Sequence, residues 1–197
     1  NLAGGSGDDQ FRFDDGVELS GSVDGAGGTD ELFLQPYSTN LTYTLTGFGS
    51  VSGFSGTTSA GGTDPNPISG TFDNINTITS GDGLSDTLLG LDEDAAWLSG
   101  SANTYTCTYV LGFGAIENLT GGSAVDTFEL TDATVNPVGG AIVGGAGSDT
   151  ILADDENNTW NITGVGSGTL SGLVGGFSGI ENLVGGSQTD SFIFTGP

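Results

Sequence analysis

From Leu41 to Thr46 the chain reads Leu-Thr-Tyr-Thr-Leu-Thr, apolar and polar residues by turns. A period of two belongs to a β-strand with one face buried. Similar short runs occupy Gln10–Phe13, Glu31–Leu34, Tyr105–Val110, Thr127–Leu130, Thr150–Leu152, Thr159–Ile162 and Ser191–Phe194. No helical period is sustained over about ten residues. Glycine clusters separate the runs. The pattern predicts an all-β protein of short strands joined by glycine turns.

The chain also repeats itself. Gly112–Phe128 (GFGAIENLTGGSAVDTF) and Gly176–Phe192 (GFSGIENLVGGSQTDSF) agree at 11 of 17 positions, at an offset of 64. A looser copy runs from Phe72 through Ile75 and Ile78 to Asp86. The first residues, NLAGGSGDDQF, carry the second half of the same unit. With no starting Met, they fit a piece of a longer array. Thr42–Gly47 resembles Thr159–Gly164, and Ala96–Gly100 is a weaker version. The first two put an aromatic and an aliphatic residue on one strand face.

A third block is a glycine-aspartate turn: GGSGDD at Gly4, GAGGTD at Gly25, GGSAVD at Gly121, GGAGSD at Gly144 and GGSQTD at Gly185. Asp9 to Asp30 is 21 residues and Asp126 to Asp149 is 23. That is the length of one circuit of a three-sided β-helix. The expected fold is a right-handed parallel β-helix, or β-solenoid, of roughly 20–24-residue coils. It would run over 1–197 as a single segment, with approximate super-repeats 1–71, 72–115, 116–179 and a truncated 180–197. Immunoglobulin-like sandwiches are the alternative, but they need about 100 residues per unit.

Charge narrows the function. Lys and Arg total one, Asp and Glu total 25, and His is absent, for a formal net charge of -24. Such a chain cannot neutralise phosphates, which excludes nucleic acid. Lacking Lys and His, it has no Walker A loop, no Ser-His-Asp triad and no HExxH zinc site. Its acids cannot be paired by bases. They stay solvated or they hold cations, and Ca²⁺ tolerates irregular oxygen cages. Cys107 stands alone, so no internal disulfide forms. No apolar run reaches membrane-spanning length.

GGSGDDQFR at Gly4 and GGAGSDTIL at Gly144 match the RTX nonapeptide GGxGxDxUx at every specified position. The chain resembles the degenerate repeats of very large secreted bacterial surface proteins, which combine IENL-type segments with RTX-like turns. The resemblance covers most of the chain outside Phe54–Gly70. It implies Ca²⁺ between stacked turns, with Asp9, Asp30, Asp126 and Asp149 as ligands. Gly4, Gly7, Gly144 and Gly147 would supply the tight turns, through positive φ. It also implies an extracellular or cell-surface setting and neighbouring repeats, other copies, or a cell-surface or matrix ligand as partners. The sequence departs from the strict motif at Ala26, Ala124 and Gln188, and its motifs are spaced rather than contiguous. The plainer alternative is that each Asp caps its own turn. Asp86 and Asp190 are read as structural, and remaining acids such as Asp14, Asp15, Asp92, Glu93 and Asp94 as a solvated face.

Trp97, Trp160 and Tyr43 are expected in the core, and Cys107 as a small buried hydrophobe. Asn118 and Asn182 suggest an amide ladder. The resulting expectation is a structural or adhesive repeat that is not an enzyme. The alternatives are a self-stacking filament subunit, an ice-binding face of alternating Thr residues, or a polysaccharide-active β-helix using carboxylates alone.

Overall fold

The computed structural model describes residues 1–62, 64–81, 85–131 and 138–196. Among them there is no helix, and the strands belong to two mostly parallel sheets of 12 and nine strands, neither of them closed. No helix among the described residues is long and apolar enough to cross a membrane. The chain divides into two compact units, Asn1–Leu89 with Thr108–Ile116, and Gly90–Cys107 with Glu117–Pro197.

In the first unit one sheet holds β1 (Leu2–Gly5), β3 (Val23–Ala26), β5 (Leu41–Phe48), β6 (Phe54–Ala60), β7 (Phe72–Ile75) and β9 (Thr87–Leu89). The other holds β2 (Gln10–Arg12), β4 (Glu31–Phe33), β8 (Thr77–Thr79) and β12 (Val110–Gly114). In the second unit one sheet holds β13 (Asn118–Thr120), β15 (Ile142–Val143), β17 (Thr159–Gly164), β18 (Ser167–Leu170), β19 (Leu173–Ser178) and β21 (Ser191–Phe194). Its companion holds β10 (Ala95–Ser99), β11 (Thr104–Thr106), β14 (Asp126–Leu130), β16 (Thr150–Leu152) and β20 (Asn182–Val184).

The 21-residue step from Asp9 to Asp30 places one strand in each sheet, β1 then β2, β3 then β4. The 23-residue step from Asp126 to Asp149 does the same with β13 to β16. A circuit therefore has two sides, not three. Strands of two to five residues are too short to turn a corner, so the glycine turns make both bends. The parallel order is interrupted by antiparallel meanders, β5-β6-β7 and β17-β18-β19, and by the β10-β11 hairpin.

Most of the expected strands are present within a residue or two. The run Tyr105–Val110 is broken, because a bend at 107–109 separates β11 from β12. Cys107 lies in that bend and is half-buried. Alternation appears directly as burial. In β5, Leu41, Tyr43 and Leu45 are buried while Thr42 and Thr44 are half-exposed. The inward faces give each unit its core, with Leu32, Tyr43, Phe72 and Ile78 in the first and Trp97, Phe128, Ile151 and Trp160 in the second. Each fully buried apolar side chain of this size contributes about 1.5–3 kcal/mol.

The repeat is decoupled from the sheets. In the second unit the two copies of the 64-residue unit are threaded oppositely. The first sends NLT to the six-stranded sheet (β13) and DTFEL to the five-stranded one (β14). The second sends NLV to the five-stranded sheet (β20) and SFIF to the six-stranded one (β21). The intervening meander spends three strands on one sheet, so alternation resumes on the other. This also removes the expected amide ladder. Asn118 Oδ1 accepts the Ala141 N–H at 3.0 Å, while Asn182 Nδ2 donates to Ser148 Oγ and the Asp149 carbonyl, both at 3.2 Å.

Candidate functional site

The aspartates at the glycine turns form columns of bonds between successive circuits. The Asp9 N–H donates to Asp30 Oδ1 at 2.9 Å, and the Asp30 N–H donates to Asn76 Oδ1 at 3.0 Å. In the second unit the Asp126 N–H donates to Asp149 Oδ1 at 2.8 Å, and the Asp149 N–H donates to Glu181 Oε2 at 2.8 Å. The same bond joins the Leu41 N–H to Asp86 Oδ1 at 2.6 Å and the Asn158 N–H to Asp190 Oδ1 at 3.3 Å. The N–H at the head of one strand is thus held by a side chain from the next circuit. Backbone donors there lie just outside the strand ladder, and an unmade bond would be costly where the turn is buried.

The second carboxylate oxygen behaves differently from site to site. Asp9 Oδ2 accepts the Gly5 N–H at 2.8 Å, and Asp126 Oδ2 accepts the Gly122 N–H at 3.0 Å. Asp126 Oδ1 also accepts Trp97 Nε1 at 2.8 Å. Asp30 Oδ2 and Asp149 Oδ2 are buried and have no hydrogen-bond partner. At Asp30 the turn's second residue is Ala26, which is held at φ 64° and donates instead to Asp24 Oδ1. Burial is the largest cause raising the carboxyls of Asp30, Asp86, Asp126 and Asp149 above their usual range. Asp9, Asp8 and Asp24 push further in that direction at Asp30, as does Glu181 at Asp149.

The glycines are required mainly by close approach. An added Cβ at Gly4 would meet Asp9 Oδ2 and the Gly25 carbonyl. At Gly144 it would meet Asp149 Oδ2 and the Gly179 carbonyl. Only hydrogen fits between the turn's own carboxylate and the next circuit's backbone. Positive φ is found at Gly147 (133°) but not at Gly4, Gly7 or Gly144, so the expected role of those three as left-handed turn residues is corrected. Gly7 faces open space, whereas the matching Gly28 and Gly147 sit against the carbonyls of Gly7 and Ala124 in the preceding turn.

Sequence reasoning missed a second set of holders. Asp92 Oδ1 accepts the Ser123 N–H at 2.9 Å and Asp94 Oδ1 the Val125 N–H at 3.1 Å. Asp155 Oδ1 accepts the Ser187 N–H at 2.8 Å and Asn157 Oδ1 the Thr189 N–H at 3.1 Å. These exposed side chains, three acids and one amide, are bonded to the neighbouring turn and do not form a free solvated face. The recurrence of Asp92-Glu93-Asp94 as Asp155-Glu156-Asn157, at an offset of 63, was the available signal.

Aromatic residues sit beside the columns. Trp97 stacks on Phe128 at 5.4 Å between ring centroids, and Trp160 stacks on Phe192 at 5.6 Å. Tyr43 Oη, Ser80 Oγ and Asp86 Oδ2 form a buried chain with steps of 2.8 and 2.6 Å. Trp97 Nε1 reaches Asp126, two residues before Phe128, and Tyr43 reaches Asp86 through Ser80. Trp160 Nε1 alone is left without a partner.

The aspartates named as calcium ligands differ in the oxygens they leave over. A calcium cage takes about six to eight oxygens. Both oxygens of Asp126 accept N–H donors. Asp30 and Asp149 each retain one orphan oxygen, near the carbonyls of Asn74 and Gly179 respectively. Among the described residues no group of three or more His, Cys, Asp or Glu is placed to hold a metal ion. No known family, curated protein or solved structure matches this chain.

Proposed function

We propose that the chain is a structural repeat segment of a secreted bacterial surface or extracellular filament protein, a β-solenoid whose coils are fastened by carboxylate clamps. The observation that carries this reading is the column in which Asp126, Asp149 and Glu181 follow one another, each N–H held by the next side chain. Clamps of this kind explain the acidic composition without bases, because their partners are backbone N–H groups. They also assign the predicted site residues a mechanical role and leave no nucleophile or base among them. Adhesion rests on the resemblance of the repeats to those of large surface proteins. Calcium enters only at Asp30 and Asp149, where an oxygen is left over, as an addition to a clamp that already exists.

Asp149→Asn separates these roles. The amide keeps the acceptor for the Asp126 N–H, removes a buried charge facing Glu181, and turns the orphan oxygen into a donor near the Gly179 carbonyl. The clamp reading expects stability to rise by about 1 kcal/mol, with the same melting temperature in calcium and in chelator. A variant that melts lower than wild type in calcium, and equal to it in chelator, would show that Asp149 is a metal ligand. Asp149→Ala leaves the Asp126 N–H unpaired and is expected to lose about 2 kcal/mol. A neutral alanine variant would sink the clamp.

A further inference from the structure

The β20–β21 end of the second unit has the features of an interrupted stack. Phe192 and Phe194 continue the inward positions of Phe128 and Leu130, yet they are 43% and 78% exposed, against 1% for Phe128. A cavity of about 300 Å³ opens there, lined in part by Ile162, Phe177, Leu183, Phe192 and Phe194. Gly185 shows the same gap from the backbone side. At Gly4, Gly25, Gly121 and Gly144 a carbonyl from the next circuit crowds the glycine, whereas at Gly185 the nearest atoms all belong to Asp190.

We propose that this end takes the Asn1–Phe13 circuit of a second copy of the chain, head to tail; the inference rests on the stacked-coil reading above. The N-terminal circuit supplies what is missing. NLAGGSGDDQF and NLVGGSQTDSF have the same length and agree at seven of 11 positions. In both, the inward Leu and Phe are nine residues apart, as are Leu119 and Phe128 and, in the circuit stacked on them, Ile142 and Ile151. Continuing that register puts Leu2 of the second copy on Leu183 and its Phe11 on Phe192. Leu2 is itself an inward residue, paired with Val23, and is 44% exposed. Column polarity agrees too. Inside the chain a strand-head N–H donates to the Asp of the following circuit. The Asp190 N–H would thus meet Asp9 Oδ1 of the second copy, and the Gly4 carbonyl of that copy would close over Gly185. The open edges would pair in parallel, as β1 does with β3 and β2 with β4.

Sedimentation velocity tests this on the whole chain, from ~10 µM to ~1 mM in ~0.5 M NaCl, where repulsion between the acidic copies is screened. Wild type is expected to give a ladder of oligomers that grows with concentration. Phe194→Asp and Leu2→Asp alter exposed side chains, and circular dichroism checks that each variant folds. Each alone should weaken association at least tenfold, since each spoils one side of every junction. An equimolar mixture retains one good junction and should give dimers and nothing larger. A monomeric wild type at the highest concentration overturns the proposal. So does association that survives in one variant alone, which would mean like ends pair. The clamp test is a melting experiment on the monomer, so either reading can fail by itself.

Discussion

Trp97 and Trp160 hold the same place in two copies of one repeat, and their surroundings differ. Both stack on a Phe in the paired parallel strand, Trp97 on Phe128 and Trp160 on Phe192. Trp97 Nε1 is held by Asp126, which is fully buried. Trp160 Nε1 has no partner, and Asp190 is only half-buried. The difference lies outside the repeat. β14 is followed by β16 as its next neighbour in the sheet, while β21 pairs with β17 alone. The same side chains thus make a sealed layer in one place and an open one in the other. A circuit of this kind completes its own hydrogen bonds only when another circuit lies on it.

The contrast should be widest at the glycines. Gly144→Ala drives a methyl into the Gly179 carbonyl as well as Asp149, and is expected to cost about 3 kcal/mol, read from chemical denaturation. At Gly185→Ala the nearest atoms are all of the Asp190 side chain, and about 1 kcal/mol is expected. Equal costs would break the link between these glycines and stacking.

Next in size are the aspartates. Asp126→Ala strands Trp97 Nε1 and the Gly122 N–H, for an expected loss of about 2–3 kcal/mol. Asp190→Ala releases only the long bond from the Asn158 N–H, and less than about 1 kcal/mol is expected. Smaller again is the pair Trp97→Phe and Trp160→Phe. The first removes a buried donor to Asp126, for an expected loss of about 2 kcal/mol. The second removes a donor that bonds nothing, so a loss of about 1 kcal/mol from lost volume is expected. A costlier Trp160 change would mean that its Nε1 finds a partner in solution.

The gentlest probe is pH. The carboxyls of Asp30, Asp86, Asp126 and Asp149 are raised by burial, so the folded chain holds these protons more tightly than the unfolded one. Stability from the neutral forms is complete below the ordinary value of 3.8 and is lost as pH rises through the folded values. Asp73 runs the other way. Burial opposes it, but bonds from Ser55, Ser50 and Asn74 together lower it, so its contribution is lost as pH falls through its depressed folded value. Exposed Asp155 is lowered too, by its bonds from Ser187. The four raised carboxyls are the buried ones, and the melting temperature is expected to rise as the pH falls from neutral toward 3.8. A steady fall over that interval would show that the buried aspartates are ionised and matched by donors.

Much of this was legible in the chain. Alternation marked the strands, because one buried face forces a period of two. The 64-residue copy marked the repeats. Asp9, Asp30, Asp126 and Asp149 were singled out by their turns, and the structure places all four in the columns. Their partners were harder to see. Asn76 and Glu181 follow the aspartates they hold by 46 and 32 residues, through intervening meanders of different lengths, so no fixed spacing connects them.

Composition and periodicity by themselves determined an all-β chain of short, glycine-linked strands and a set of acids without bases to pair them. Those properties are local, since each depends on a residue and its near neighbours. Tertiary structure decided that each circuit has two sides, that the two copies in the second unit enter opposite sheets, and that the acids are spent on the backbone of adjacent circuits. It also decided which tryptophan finds its aspartate. Each of these depends on what lies one circuit away, where neighbours are set by stacking and not by distance along the chain.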